Sequence, residues 1–177
     1  MYSKAKIMGH PIHPMLVAFP VTFYVSTLVT FIVYATSMNP FWFRVATIAN
    51  WAGVATAAVA AVPGLVDWAT GIPRRSEAKR TGLIHMSLNV TALVAFLINA
   101  IVYTNRWDEP LPAAGTGVVL SAIGVLLTLP AGFLGWSLVQ DHHVGVNLSA
   151  EQERLEPVNT LTSRGERRRP STPLASH

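Results

Sequence analysis

Four apolar stretches, each about as long as a helix needs to cross a hydrocarbon layer of about 30 Å, leave this chain few folds to choose from. They run roughly over residues 14–37, 41–66, 82–103 and 115–139. Within lipid the backbone must satisfy its own hydrogen bonds, so each stretch is read as a helix. Short connections then give an all-α integral membrane four-helix bundle with up-down-up-down threading. Only 12% of the residues are charged, about half the share usual in a soluble domain. The first apolar run is too long for a signal peptide and no small-residue cleavage site follows it, so it reads as a retained span.

The punctuation supports these boundaries. Pro20 lies inside the first span and is expected to kink it or loosen the carbonyl one turn back. Met38-Asn39-Pro40 ends it, and Phe41, Trp42 and Phe43 open the second span as an interfacial belt. Ala55, Ala57, Ala58, Ala60 and Ala61 permit close helix approach. A polar connection is expected over residues 67–81, and a turn carrying Trp107, Asp108 and Glu109 separates spans three and four. The membrane domain covers residues 1–147, and residues 148–177 are polar and arginine-rich, expected as a disordered cytoplasmic tail. No repeat between the two halves is evident. Of the 13 lysines and arginines, all but Arg44 and Arg106 fall on one side of this threading, which places both termini in the cytoplasm.

The polar residues with chemistry gather on that same side. His10 and His13, each followed by a proline, stand before span one, and the prolines favour extended backbone at both histidines. A polyproline repeat of about three residues would point the two imidazoles the same way. Asp67 and Trp68 close span two, His85 lies about one turn inside span three with Asn89 one turn further on, and His142 and His143 follow span four. Ionisable groups near lipid are costly and usually pair or bind something. Asp67 is read as the partner of a ligating imidazole rather than a ligand, and Asn50 and Asn99 as interhelical hydrogen bonds.

Imidazoles around the end of a bundle suit haem b, which needs one or two axial histidines and an apolar slot. His13 and His85 are the preferred axial pair, His10 and His142 are in reserve, and Trp68, Met86, Phe133 and Trp136 are candidate slot walls. A bare copper or zinc ion on His10, His13, His85 and His142 is the alternative, and a structural or assembly subunit without a cofactor is the third. With no cysteine, the chain has no thiolate sites, iron–sulfur clusters or covalent haem attachment of its own. Hydrolytic motifs and phosphate loops are absent, and the basic residues flank apolar spans rather than forming a nucleic-acid surface.

These residues carry a resemblance. Gly9 to Pro20, GHPIHPMLVAFP, with Gly64 to Trp68, His85 to Asn89 and the LVQDHHVGVN run from Leu138 to Asn147, resembles the bacterial membrane-protein family DUF2231. The resemblance implies a four-span protein of the bacterial inner membrane, and association of some members with c-type cytochromes implies redox work. It also implies His142 as the match to the family's closing histidine. The chain departs from the family at Ala18, where many relatives carry a further histidine, and at Gln140 and Asp141, often a basic or aromatic pair. The expected partners are the lipid bilayer and a quinone or cytochrome, with no nucleic acid and with room for a homo-oligomer.

Overall fold

The computed structural model describes residues 3–107 and 113–146. The N-terminal segment forms a two-residue antiparallel ladder of β1 (Lys6–Ile7) and β2 (His10–Pro11), turned by Met8 and Gly9, both at positive φ. Helices α1 (Ile12–Leu16) and α2 (Ala18–Ser37) follow. Pro20 has no N–H to offer the Leu16 carbonyl, and the helix breaks at Val17, as its position predicts. Met38, in the left-handed region, closes α2. The Asn39 side chain accepts from the Phe41 N–H at 2.9 Å and Pro40 takes the first helical position, so α3 (Pro40–Val66) starts at once.

Helix α3 runs on into a π-helical turn over Asp67–Gly71. Helix α4 (Glu77–Thr104) opens on Ser76, whose hydroxyl accepts from the Lys79 N–H at 3.2 Å, and α5 (Gly115–Gln140) completes the bundle. The polar connection is therefore shorter than 67–81. The chain remains helical beyond Val66, and the Ser76 cap with Glu77 in the first turn starts α4 before the apolar stretch begins. The four candidate spans hold 26, 32, 28 and 26 residues, each more than the roughly 20 needed. Asp108, Glu109 and the tail over 148–177 lie outside the described residues.

Helix α2 packs along α3 and α5, and α4 packs along the same two, so α2 and α4 stand at opposite corners. Large apolar side chains such as Phe19, Val29, Ile48, Leu126 and Phe133 face outward, a belt that suits lipid. The interior holds rings, small residues and a polar layer. Thr27, Asn50, Asn99 and Ser121, one from each long helix, are all fully buried. Asn50, with its amide oriented to suit its neighbours, donates to the Phe96 carbonyl at 3.3 Å and accepts from the Ala100 N–H at 2.9 Å. Asn99 donates to the Gly117 carbonyl at 3.4 Å. Both asparagines join neighbouring helices, as expected.

The interior also shows a repeat. Three ring pairs cross between the first and second halves: His13 with His85, Tyr24 with Phe96, and Phe31 with Tyr103, with centroids 6.2, 3.7 and 5.1 Å apart. In all three pairs the partners are equally far apart in the sequence. The buried pairs Pro20/Ala92 and Thr27/Asn99 keep that offset. All four residues buried in α5, Gly117, Ser121, Gly124 and Ala131, answer to buried Ala46, Asn50, Gly53 and Ala60 of α3 at an offset one residue shorter. The hairpins α1–α3 and α4–α5 are thus related by a pseudo-two-fold axis, and residues that meet their own equivalents lie on it. Each hairpin crosses twice, so the repeats run in the same direction about an axis along the membrane normal. This corrects the sequence reading. The repeat lives in a few inward positions, where Thr answers Asn and Pro answers Ala, amid lipid-facing residues free to vary.

Candidate functional site

At one end of the axis two imidazoles meet. His13 comes from α1, not from extended backbone. Pro14 sits in the first helical turn, where its missing N–H is no loss, and the steric bias it places on His13 gives way to the helix. His10 does lie in a strand, exposed, with Nδ1 3.0 Å from the Met8 carbonyl oxygen. The two histidines therefore differ in backbone and in partner rather than repeating one polyproline conformation.

His13 Nδ1 lies 2.8 Å from the Ala60 carbonyl oxygen of α3, and His85 Nδ1 lies 2.7 Å from the Ala131 carbonyl oxygen of α5. The sequence separations are 47 and 46 residues, so these two bonds are one bond repeated about the axis. A carbonyl can only accept, so each Nδ1 carries the proton and donates. In the neutral ring Nε2 then keeps its lone pair. The ring planes are nearly perpendicular, at 89°.

Glycine makes the docking possible. A Cβ on Gly64 would stand 2.8 Å from His13 Nδ1, and one on Gly135 would stand 3.0 Å from His85 Cε1. Each imidazole thus lies against the backbone one turn beyond the carbonyl it binds. Asn89 adds an asymmetry: its Nδ2 donates to the His85 carbonyl at 2.8 Å and stands 3.3 Å from His85 Nε2. The equivalent residue of the first half is Val17, which offers nothing similar.

Asp67 is not the partner of a histidine. Its buried carboxylate accepts from Ser3 Oγ at 2.7 Å, from the Lys4 N–H at 2.6 Å and from the Ala5 N–H at 2.9 Å. Local geometry decides this, because the π-helical turn presents Asp67 to the chain entering β1. The role expected of it, orienting the imidazoles, falls to the two backbone carbonyls. His142 is half-buried in the turn after α5. Among the described residues no group of three or more His, Asp or Glu converges, so neither His10 nor His142 joins the pair as placed.

The expected slot walls also part company. Phe133 and Trp136 point outward, 67% and 57% exposed, and pack on each other. Trp68 lies against Gly82, where a Cβ would stand 2.8 Å from its Cδ1, donates to the Lys79 carbonyl at 3.1 Å and carries the Lys79 ammonium over its ring at 3.9 Å. The residues that sequence reasoning missed are Ala60 and Ala131, whose contribution is backbone. Their signal was weak: a small residue four places before a glycine, in helices that also contain Pro63 and Pro130.

A family model described as a predicted membrane protein, DUF2231, matches residues 9–148. The chain belongs to this family. Comparison with curated proteins and with solved structures finds no match. The family match takes in both DUF2231 hairpins, the histidine pair and the two glycines against which the imidazoles lie, and ends where the polar tail begins.

Proposed function

We propose that this membrane protein transfers or senses electrons through one metal centre held between His13 and His85, with haem b as the first reading. The observation that carries it is the imidazole pair, with both Nδ1–H groups committed to carbonyls, so that Nε2 is the ring nitrogen with a lone pair for a metal, that of His85 also lying 3.3 Å from the Asn89 amide. Backbone anchoring of this kind commonly orients metal-ligating histidines. With ring centroids 6.2 Å apart, His13 and His85 are the two residues that would hold the metal. Two imidazoles are too few for a tetrahedral zinc site, whereas haem would need no further ligand from this chain.

Haem would supply one-electron chemistry at iron. The chain's own residues do the rest: Ala60 and Ala131 fix the tautomers, Gly64 and Gly135 let the rings lie against the helices, and Asn89 satisfies its amide on a carbonyl rather than a metal. Excess basic charge on the histidine face supports the reading that this face is the cytoplasmic one, in a bacterial inner membrane. The electron partner is a quinone or a cytochrome. A bare copper ion is the second reading, favoured because Trp68, Phe133 and Trp136 do not wall a slot beside the pair.

The test is a visible spectrum and elemental analysis of protein produced with haem and copper supplied. A Soret band lost in His13→Ala and in His85→Ala supports haem, and stoichiometric copper without porphyrin supports the second reading. Neither chromophore nor copper, or a signal unchanged in both variants, leaves a structural or assembly subunit.

A further inference from the structure

We infer that the bundle core binds one water molecule, bridging the Tyr24 hydroxyl and the Asn99 side-chain oxygen. Tyr24 Oη and Asn99 Oδ1 are the two buried side-chain polar atoms without a hydrogen-bond partner among the described residues. Both residues are buried, 4% and 0% exposed. A polar atom left unpaired in an interior loses its hydration with nothing in return, and in native proteins such an atom commonly marks an ordered water. The site is separate from the histidine pair: along α4, Asn99 stands about 21 Å beyond His85 at about 1.5 Å per residue.

The pseudo-symmetry shows that packing calls for neither group. The equivalent of Tyr24 is Phe96, and the two rings stack at 3.7 Å and 4°, so a bare ring fills this position in the second half. The equivalent of Asn99 is Thr27, whose hydroxyl donates to the Phe23 carbonyl of its own helix at 2.7 Å. Each orphaned atom thus belongs to a residue whose counterpart is apolar or already satisfied. The two belong to adjoining layers, since Phe96, stacked on the Tyr24 ring, is one turn before Asn99 on α4.

The orphans are also complementary. A phenol O–H donates, and a side-chain carbonyl oxygen only accepts. They do not bond each other directly. No other hydroxyl of the layer turns to Asn99, because the hydrogens of Thr27 and Ser121 are committed to the Phe23 and Gly117 carbonyls at 2.7 and 2.6 Å. A molecule that joins the two must accept from Tyr24 and donate to Asn99 inside a packed core, and water is the smallest that does both. Its second hydrogen has the lone pairs of the Thr27 and Ser121 hydroxyl oxygens in the same layer. Hydrogen bonds lead from Asn99 towards the end of the bundle away from the histidines. Asn99 Nδ2 donates to the Gly117 carbonyl at 3.4 Å, the Gly117 N–H to the Tyr103 hydroxyl at 3.0 Å, and that hydroxyl to the carbonyl of exposed Ala113 at 2.8 Å. This polar seam between α4 and α5 is the route by which water enters. The site needs neither haem nor copper, so it stands or falls apart from the histidine reading.

Radiolytic footprinting of the full chain in detergent tests it, because an X-ray pulse turns bound water into hydroxyl radical beside the residue that holds it. The expected result is oxidation of Tyr24, mapped by mass spectrometry, well above that of Phe43, which is just as buried at 2% exposed. Asn99→Leu removes one anchor of the water and lowers Tyr24 oxidation by about fivefold, as the loss of one hydrogen bond implies. Tyr24→Phe lowers the thermal midpoint of the otherwise native chain, and does not lower it further in the Asn99→Leu background. Tyr24 oxidation no higher than that of Phe43 overturns the proposal. So does a Tyr24→Phe midpoint at or above that of the unaltered protein, the outcome for a hydroxyl with no partner at all. Coupled midpoints without oxidation overturn it as well, in favour of a direct bond between Tyr24 and Asn99.

Discussion

The two hairpins do the same work on the inside and different work on the outside. Along the axis each supplies an imidazole, then a stacking ring, then a second ring, and each offers a glycine as the floor for a ring of its own hairpin: Gly53 under Tyr24 and Gly124 under Phe96. Away from the axis they part. The first half breaks its helix at Val17, folds β1 and β2 over its end and ties them to Asp67, whereas the second keeps one continuous α4 and adds Asn89. The lesson is that contact with an equivalent residue constrains a position far more than burial alone does. A change at such a position is felt by both halves at once.

The largest effect expected is at the histidines. If the two imidazoles are equivalent ligands of one centre, His13→Ala and His85→Ala each abolish bound haem or copper, as read by absorbance and elemental analysis. Retention of the full complement by either single variant would break the equivalence. Next come the glycine floors. A Cβ on Gly124 would stand 2.3 Å from Phe96 Cε2, and one on Gly53 would stand 2.8 Å from Tyr24 Cδ1. Both Gly→Ala variants should lose about 1–3 kcal/mol through overpacking. Gly124→Ala should be the worse of the two in thermal unfolding in detergent, and the reverse order would show that Tyr24 yields less readily than Phe96.

The four spans, the break before Pro20 and the start of α3 were legible because each rests on a local signal: apolar length, the missing proline N–H and the Asn39-Pro40 cap. The pairing of His13 with His85 was also within reach, since threading puts both at one end. What sequence could not convey was backbone. The Ala60 and Ala131 carbonyls have no residue-type signature, and Asp67 looked like a partner for histidine until the π-helical turn aimed it at Ser3. The repeat stayed hidden because its identities are few, among them His13/His85, Gly53/Gly124, Ala60/Ala131 and Gly64/Gly135, and because the offset slips by one residue between the first and second helices of the hairpins.

A smaller effect is expected where the halves differ most. Asp67→Asn replaces one acceptor oxygen by a donor facing Ser3 Oγ or the Lys4 and Ala5 amides, a mismatch worth about 1–3 kcal/mol locally. Hydrogen exchange should quicken at residues 4–7 and stay unchanged in α4 and α5. Faster exchange throughout would mean that the strand pair supports the whole bundle rather than its own end.

The finest test makes the second half resemble the first. Asn89→Val installs in α4 the residue type that the first half carries at Val17, between α1 and α2. Side-chain hydrogen bonds between groups in membrane helices average about 0.6 kcal/mol, so stability should fall by less than about 1 kcal/mol. The informative readout is metal or haem affinity. At 3.3 Å from His85 Nε2, Asn89 Nδ2 competes for the lone pair a metal would use, although its shorter bond is to the carbonyl. Removing that competition should tighten binding by about threefold, the equivalent of about 0.6 kcal/mol. Unchanged affinity would mean that the amide serves only the carbonyl, and the two imidazoles would then be equivalent ligands despite it. Weaker binding would instead make Asn89 a positioning residue for His85, and the axis would carry a built-in difference between its two ligands.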